Sequence, residues 1–384
     1  MLINNYSIKK YDNTLKYVLT TKQGHFYINK STKQLIEILT VEETIDEALL
    51  VFNTTFESNL SKESFLDFLK DRLKGLGLLK GDSKIIKTNA YVKSKIKLLP
   101  ANAAAALALP FSYFFKATYF WYLFTILSII CATIVVGYID IYDLNSPFEN
   151  VIHLILLALP VVFIHELGHV AACRPAGIKN GEIGLGIYLI FPVFYSDISN
   201  LWTATKQQRI IANLAGAFNQ CLYAIIMYGI YYFTENKIFL TVSILIIIDG
   251  VYQLYPFVRS DGYWILSDAL SIPNLQQKGK YNLLNLFTGR WSKLKAHTKT
   301  ELFILSYSII NLGFVLFYIY FLVIDQWNSF LLFPKELSTL LYHLITLNWQ
   351  ELQVSPLFIF HGIVYFILGK YVFNLIKSKV KNRK

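Results

Sequence analysis

Apolar positions change their spacing twice along this chain. Up to about residue 83 they come in short clusters broken by polar residues, whereas from about residue 118 they merge into runs long enough to cross a bilayer. In the first stretch, Tyr17 to Leu19 and His25 to Asn29 read as strands, and Lys22-Gln23-Gly24 between them reads as the turn of a hairpin. Ser31 with Gln34, and Thr44 with Glu47, form capping-box patterns before QLIEIL and ALLVF. A third helix is predicted over Lys62 to Lys74, with Phe65, Leu69 and Leu73 on one face and Gly75 beyond its end. Residues 84 to 97 carry Lys84, Lys87, Lys93, Lys95 and Lys97 without one acid, a solvated run placed to lie on an anionic leaflet. The alanine-rich 101 to 110 is too short to span and reads as an interfacial helix. Spanning runs follow at about 118 to 138, 151 to 173, 209 to 233, 238 to 258, 302 to 324 and 355 to 376. The expected architecture is mainly α: a polytopic helical membrane protein of about six spans, with a small α+β N-terminal cytosolic domain over 1–83, a basic and interfacial linker over 84–117, and a transmembrane domain over 118–384.

Composition agrees with that class. Of 384 residues 54% are apolar and 16% aromatic, with mean hydropathy +0.43, which is too apolar for an ordinary soluble protein. The net charge of +11 raises the question of nucleic acid, but residues 1 to 83 hold eleven basic against eleven acidic side chains. The excess sits beside the spans, so no nucleic-acid partner is expected and the lipid bilayer is. Segments 139–150, 234–237 and 325–354 hold only Lys237 and Lys335 as cations. Arg174, Lys179, Lys206, the cluster Arg290, Lys293, Lys295 and Lys299, and the tail from Lys377 lie on the other side, which places both termini in the cytosol. MLINNYSIKKYD has no apolar core of signal-peptide type, in keeping with that side. Cys131, Cys173 and Cys221 all fall in or beside apolar runs and read as small buried residues rather than a disulfide framework.

One run carries chemistry. LPVVFIHELGHVAAC, residues 159 to 173, holds His165, Glu166 and His169 within an apolar helix, where ionisable groups mark a functional site by default. Residues four apart share a helix face about 6 Å apart along the axis, so the two imidazoles can share one metal ion. Glu166, beside the first ligand, is placed to take a proton from water and pass it to a leaving amine. A catalytic zinc takes three protein ligands and keeps one position open. Asp261, where Pro256 and Gly262 interrupt the helix, is the best third ligand; the rival reading is a plain turn or N-cap aspartate. Asp249, near mid-span, is out of register with the histidines, His153 lies about 120° round the helix at 100° per residue, and His343 and His361 carry no partner pattern. The second span descends toward the cytosol, which sets both histidines about 6 to 12 Å above its inner end and on the side where Asp261 closes the fourth span.

HELGH in one span, followed by Pro256 and Asp261-Gly262, resembles the site-2 protease class of intramembrane zinc metalloproteases, and most of all its bacterial peptide zinc metalloprotease branch. The resemblance covers residues from about 98 to 270. It implies Zn²⁺ on His165, His169 and Asp261, with Glu166 as the base. Tyr255 stands where that class usually has Asn, and Ala217 where it usually has Pro, which leaves the metal chemistry intact and bears on how substrate is held. Strands followed by three helices over 1–83 resemble a PqqD-like, winged-helix-like peptide-recognition domain, which binds a leader peptide as an added strand; a plain structural cap is the other reading. NGEIGLGIYLIFPVFYSDIS between the second and third spans reads as a re-entrant hairpin or as a simple interfacial loop, with Asp197 more at home in solvent than in a cavity. Asn213, Asn219 and Gln220 beside Gly216 are placed to let helices approach and hydrogen-bond. Asn219, Leu185 between Gly184 and Gly186, and Tyr195 are the candidate substrate contacts.

The reading is a membrane-embedded zinc metalloendopeptidase acting on a ribosomally made, bacteriocin-like or signalling peptide precursor during maturation or export, with a leader peptide and an export transporter as partners. Its rivals are a non-catalytic membrane receptor, immunity or export partner for such a peptide, and a zinc transporter, which would need a second ligand cluster along a pore.

Overall fold

The computed structural model describes residues 5–11, 16–21, 24–73, 76–78, 93–138, 151–188, 191–257, 260–290, 298–325, 327–346 and scattered residues between 358 and 369. Residues 1–271 form one unit and residues 272–384 another.

The first unit begins with an antiparallel meander of β1 (Ser7–Lys10), β2 (Lys16–Thr21) and β3 (Gly24–Asn29), registered so that Leu19 faces Phe26 and Tyr17 faces Ile28. The β2–β3 hairpin was expected; β1 was not, because Ser-Ile-Lys-Lys has one apolar residue and is a strand only through its pairing with β2. Helices α1 (Lys30–Val41), α2 (Ile45–Thr55) and α3 (Lys62–Leu73) follow. The expected cap at Ser31 is displaced: Asn29, at the end of β3, accepts from the Thr32 amide and starts α1 two residues before the Ser31 pattern would. The Thr44–Glu47 box does form, each side chain bonding the other's backbone N–H. Phe65, Leu69 and Leu73 of α3 close on Leu35, Ile36 and Leu39 of α1, Phe52 of α2 and Leu19 of β2. This core is separate from those around the long helices.

Strand β4 (Lys93–Leu99) leads into α4 (Ala101–Ala108) and a 3₁₀ segment, Pro110–Phe115. The lysine run read as solvated is therefore partly a strand: Ile96 pairs with Leu185 and Leu99 with Ile183, contacts nearly ninety residues away that no local pattern announces. Helix α4 buries Ala104 and Ala108 and packs on α6, small side chains letting the two backbones approach.

The long helices are α5 (Ala117–Tyr138), α6 (Val151–Cys173), α7 (Lys206–Thr234) and α8 (Lys237–Gln253). Between α6 and α7, β5 (Ile183–Tyr188) and β6 (Phe191–Ser196) form an antiparallel hairpin that β4 extends to three strands in the order β4-β5-β6. The strand-like pairing expected of this region forms. Helix α7 is the hub, packing against α5, α6, α8 and the short α9 (Asp261–Ala269).

Among the described residues, three helices are long and apolar enough to cross a membrane: Ala117–Tyr138, Lys206–Thr234 and Lys299–Phe317. Helix α6 runs for 23 residues, with its side chains described over the apolar stretch Leu157–Cys173, and α8 has 17 residues. The run expected over 355 to 376 falls almost wholly outside the described residues.

In the second unit, α10 (Leu275–Phe287) packs on α11 (Lys299–Ile319), where Gly279 leaves room for Ser308. A π-helical turn, Tyr320–Asp325, precedes α12 (Trp327–Thr346). Most of the segment expected to be an outer connection is thus helical.

Candidate metal centre

Helices α6 and α7 lie antiparallel at the site, so that residues four apart on one meet residues four apart on the other. Gly168 faces the Ala215 carbonyl, and Gly216 faces the ring of His165; a Cβ at either position would collide with its neighbour. This is the structural reason for glycine inside the HELGH stretch: it lets α6 and α7 approach to backbone contact.

Both rings are buried and turned toward each other, with their Nε2 atoms 3.0 Å apart. His169 Nδ1 lies 2.7 Å from the Ala212 carbonyl oxygen. That oxygen can only accept, so Nδ1 donates and Nε2 is left with its lone pair. Asp261 arrives from α9, its Oδ2 3.1 Å from His165 Nε2 and 3.4 Å from His169 Nε2. The break that frees it is built from Ser260, whose hydroxyl donates to the Tyr255 carbonyl at 2.7 Å, and from Gly262, where a side chain would strike the Leu254 carbonyl.

Three donor atoms thus converge, one of them a carboxylate oxygen with no hydrogen-bond donor and one an imidazole lone pair. Such an arrangement repels itself unless a proton or a metal cation lies between, and a metal ion can be shared by all three atoms at once. A tetrahedral site with bonds of about 2.0 to 2.1 Å has edges of about 3.3 Å, close to the observed 3.0 to 3.4 Å. The donor set of two imidazoles and one carboxylate fits zinc. Glu166, His165 and His169 offer ligand atoms within 4.8 Å of one another, and Glu166 is half-buried on the wall of the adjoining cavity.

That cavity, about 610 Å³, is lined on one side by His165, Glu166, His169 and Asp261, and on another by β6 and the loop after it, Val193 to Ser199. Asp197, expected in solvent, is on this wall, its Oδ1 accepting from the Ser199 amide and hydroxyl. Tyr195 also reaches the cavity; its hydroxyl donates to Glu182 Oε1 at 2.9 Å, and burial together with that carboxylate pushes its pKa up to about 12. Glu182 is held below the ordinary carboxylate range by hydrogen bonds from Lys97 and Tyr195. The other two candidate substrate contacts are placed elsewhere. Leu185 belongs to the central strand, paired with Ile96 on one side and Phe194 on the other, so it offers no free edge. Asn219 is fully buried and donates to the Ile164 carbonyl at 2.9 Å. Asp249, the rival ligand, instead accepts from Gln220 and Gln253 at 2.8 and 3.2 Å. The side chain of His153 lies outside the described residues.

Sequence reasoning missed the far wall. Arg209 is buried, donates through Nε to Asp268 Oδ1 at 2.6 Å and through Nη1 to the Ala204 carbonyl at 2.7 Å, and its guanidinium stacks 4.4 Å over the ring of Tyr11. Tyr27 of β3 meets Trp202 edge-on at 5.6 Å, and Trp202 meets Trp264 at 5.9 Å. The N-terminal sheet is therefore seated against residues that line the cavity. A lone arginine at the start of an apolar helix, with an aspartate seven residues after Asp261, was the available signal.

The model of Peptidase family M50 matches residues 153–376, more than half of the chain and all of the residues that build the centre. The chain belongs to peptidase family M50. A Bacillus subtilis (strain 168) protein named "Putative peptide zinc metalloprotease protein YydH" is 26% identical over 162 residues, which take in 40% of this chain and 64% of that relative, so the chain spans just under two thirds of its length. No solved structure matches. M50 metalloproteases are zinc-dependent, and in this M50 chain the residues that fit the ion are His165, His169 and Asp261.

Proposed function

We propose that this M50 chain is a membrane-embedded zinc metalloprotease that hydrolyses a peptide bond in a ribosomally made peptide precursor, during its maturation or export. The observation that carries the reading is the triangle of His165, His169 and Asp261 ligand atoms, 3.0 to 3.4 Å on each side, beside Glu166 on a cavity wall. Zinc held there would polarise a scissile carbonyl as a Lewis acid. Glu166 accepts the proton of the attacking water and returns it to the leaving amine. Strand β6 pairs with β5 on one side only among the described residues, and its Val193 to Ser196 line the cavity. An extended substrate added to that edge would lie along the site in the unwound form that hydrolysis requires.

The N-terminal sheet supports the delivery half of the reading. A PqqD-like domain that captures a leader peptide would, seated against Trp202 and Arg209, raise the local concentration of the precursor at the cavity mouth. With six spans and both termini cytosolic, the centre would lie beneath the inner leaflet, where a precursor is made. The relative's name, with its peptide zinc metalloprotease, points the same way.

The test uses the full-length protein purified in detergent and the peptide encoded beside its gene. Zinc is measured by elemental analysis and cleavage by mass spectrometry. Glu166→Gln is expected to keep zinc and lose cleavage, whereas His165→Ala loses both. A Gln variant that cuts at the wild-type rate removes Glu166 from the chemistry, and a wild type without zinc removes the metalloprotease.

A further inference from the structure

The ligands of the centre come from α6 and α9, yet the element that holds both in place is α7. Arg209, Ala212, Asn213 and Gly216 recur at intervals of three and four on that helix and so form one stripe. Each has a task at the site. The Ala212 carbonyl accepts the hydrogen bond of His169 Nδ1, and Gly216 gives His165 its space. Arg209 bonds Asp268 Oδ1, and Asn213 reaches Asp268 Oδ2 at 3.4 Å.

Asp268 lies seven residues after Asp261 on α9, hence on nearly the same face and about 10 Å further along the axis. A nine-residue helix preceded by a break has little of its own to fix its direction. The buried ion pair supplies it: the Arg209 guanidinium fixes Asp268 from Nε and is itself fixed by Nη1 on the Ala204 carbonyl. The same guanidinium lies over the Tyr11 ring of the N-terminal domain, and Tyr11 is itself buried.

We propose that Arg209 is a positioning residue that holds Asp261 against the histidine pair by clamping α9 to α7, and that the N-terminal domain tightens this clamp through Tyr11, the residue after β1. The N-terminal domain then does more than hold a peptide: its seating sets how well the third ligand is placed. The inference rests on the metalloprotease reading above and adds to it a route from the soluble domain to the metal.

The experiment measures zinc affinity, by competition with a chromophoric chelator, and the visible spectrum of the cobalt(II)-loaded protein, on the full chain in detergent. Arg209→Lys keeps the charge and loses the planar fork that serves Asp268 and Ala204 together. It is expected to weaken zinc binding by about tenfold or more, the usual effect of losing an outer partner of a ligand, and to shift the cobalt bands. Tyr11→Leu is expected to weaken binding a few-fold, and Glu166→Gln not at all. A role confined to substrate contact would raise KM and leave zinc affinity and the cobalt bands at wild-type values, which overturns the proposal. Should Arg209→Lys fail to fold, as judged by gel filtration and circular dichroism, Asp268→Asn decides on the same readout. Collapse of both would make the pair an element of the fold and would also overturn the proposal. A zinc-binding wild type whose folded variants bind equally well overturns this inference alone, whereas a wild type without zinc affinity overturns the metalloprotease reading with it.

Discussion

Alanine at position 216 offers the sharpest test of how the centre is held. A Cβ built on Gly216 would lie 2.5 Å from His165 Nε2 and 2.7 Å from Nδ1. Carbon and nitrogen need about 3.5 Å, so the ring must retreat by roughly 1 Å. It cannot retreat freely, because its Nε2 sits 3.0 Å from His169 Nε2 and 3.1 Å from Asp261 Oδ2. Metal–ligand distances tolerate only about 0.2 Å, and a 1 Å displacement of a reacting group can lower a rate by about 10²-fold. Gly216→Ala is therefore expected to lower zinc affinity and turnover by two orders of magnitude or more while leaving helix content unchanged. Competition with a chromophoric chelator reads the first, peptide cleavage the second. Gly229 on the same helix is the control, since a Cβ there meets nothing within 4 Å. Gly229→Ala should leave zinc affinity unchanged and the melting temperature equal or higher, alanine being the better helix former by about 1 kcal/mol. Wild-type zinc affinity in Gly216→Ala would show that the His165 ring does not rest against α7 as described.

Two further outcomes follow from features away from the metal. Glu182, bonded by Lys97 at 3.0 Å and by Tyr195 at 2.9 Å, has its folded pKa depressed, so its contribution is full above the ordinary glutamate value of about 4.3 and fades as pH falls through the lowered one. Thermal unfolding of wild type against Glu182→Gln should therefore show a gap at pH 6 that closes toward pH 3; a gap that does not narrow would contradict the assignment. Phe65 is fully buried in the N-terminal core, and Phe65→Ala should cost that domain about 3 to 5 kcal/mol, seen as proteolysis before residue 93 at a temperature the wild type withstands.

The parts of the centre that were legible in the sequence are those whose side chains carry the chemistry. HELGH spacing put two imidazoles on one face, and the Pro256 to Gly262 break marked where a carboxylate could leave the helix. What was not legible depends on pairings far apart in sequence or on atoms every residue has. Strand β4 joins β5 across nearly ninety residues and looks alone like a basic linker. Leu185 stood in a stretch expected to offer a substrate its edge, yet the capture of both its edges by Ile96 and Phe194 is a property of the sheet. Ser31 lost the start of α1 to Asn29 because the strand before it ends there. Arg209 and Asp268 belong to different helices, 59 residues apart, so no local pattern pairs them.

The acceptor that orients His169 is a peptide oxygen, at Ala212. The oxygen belongs to the backbone, so a substitution at 212 reaches the imidazole only by moving the helix, and with Ala212 fully buried any larger side chain would do so. Inactivating changes here act by sliding or tilting the helix, from its flanks, its contacts or overpacking at 212 itself.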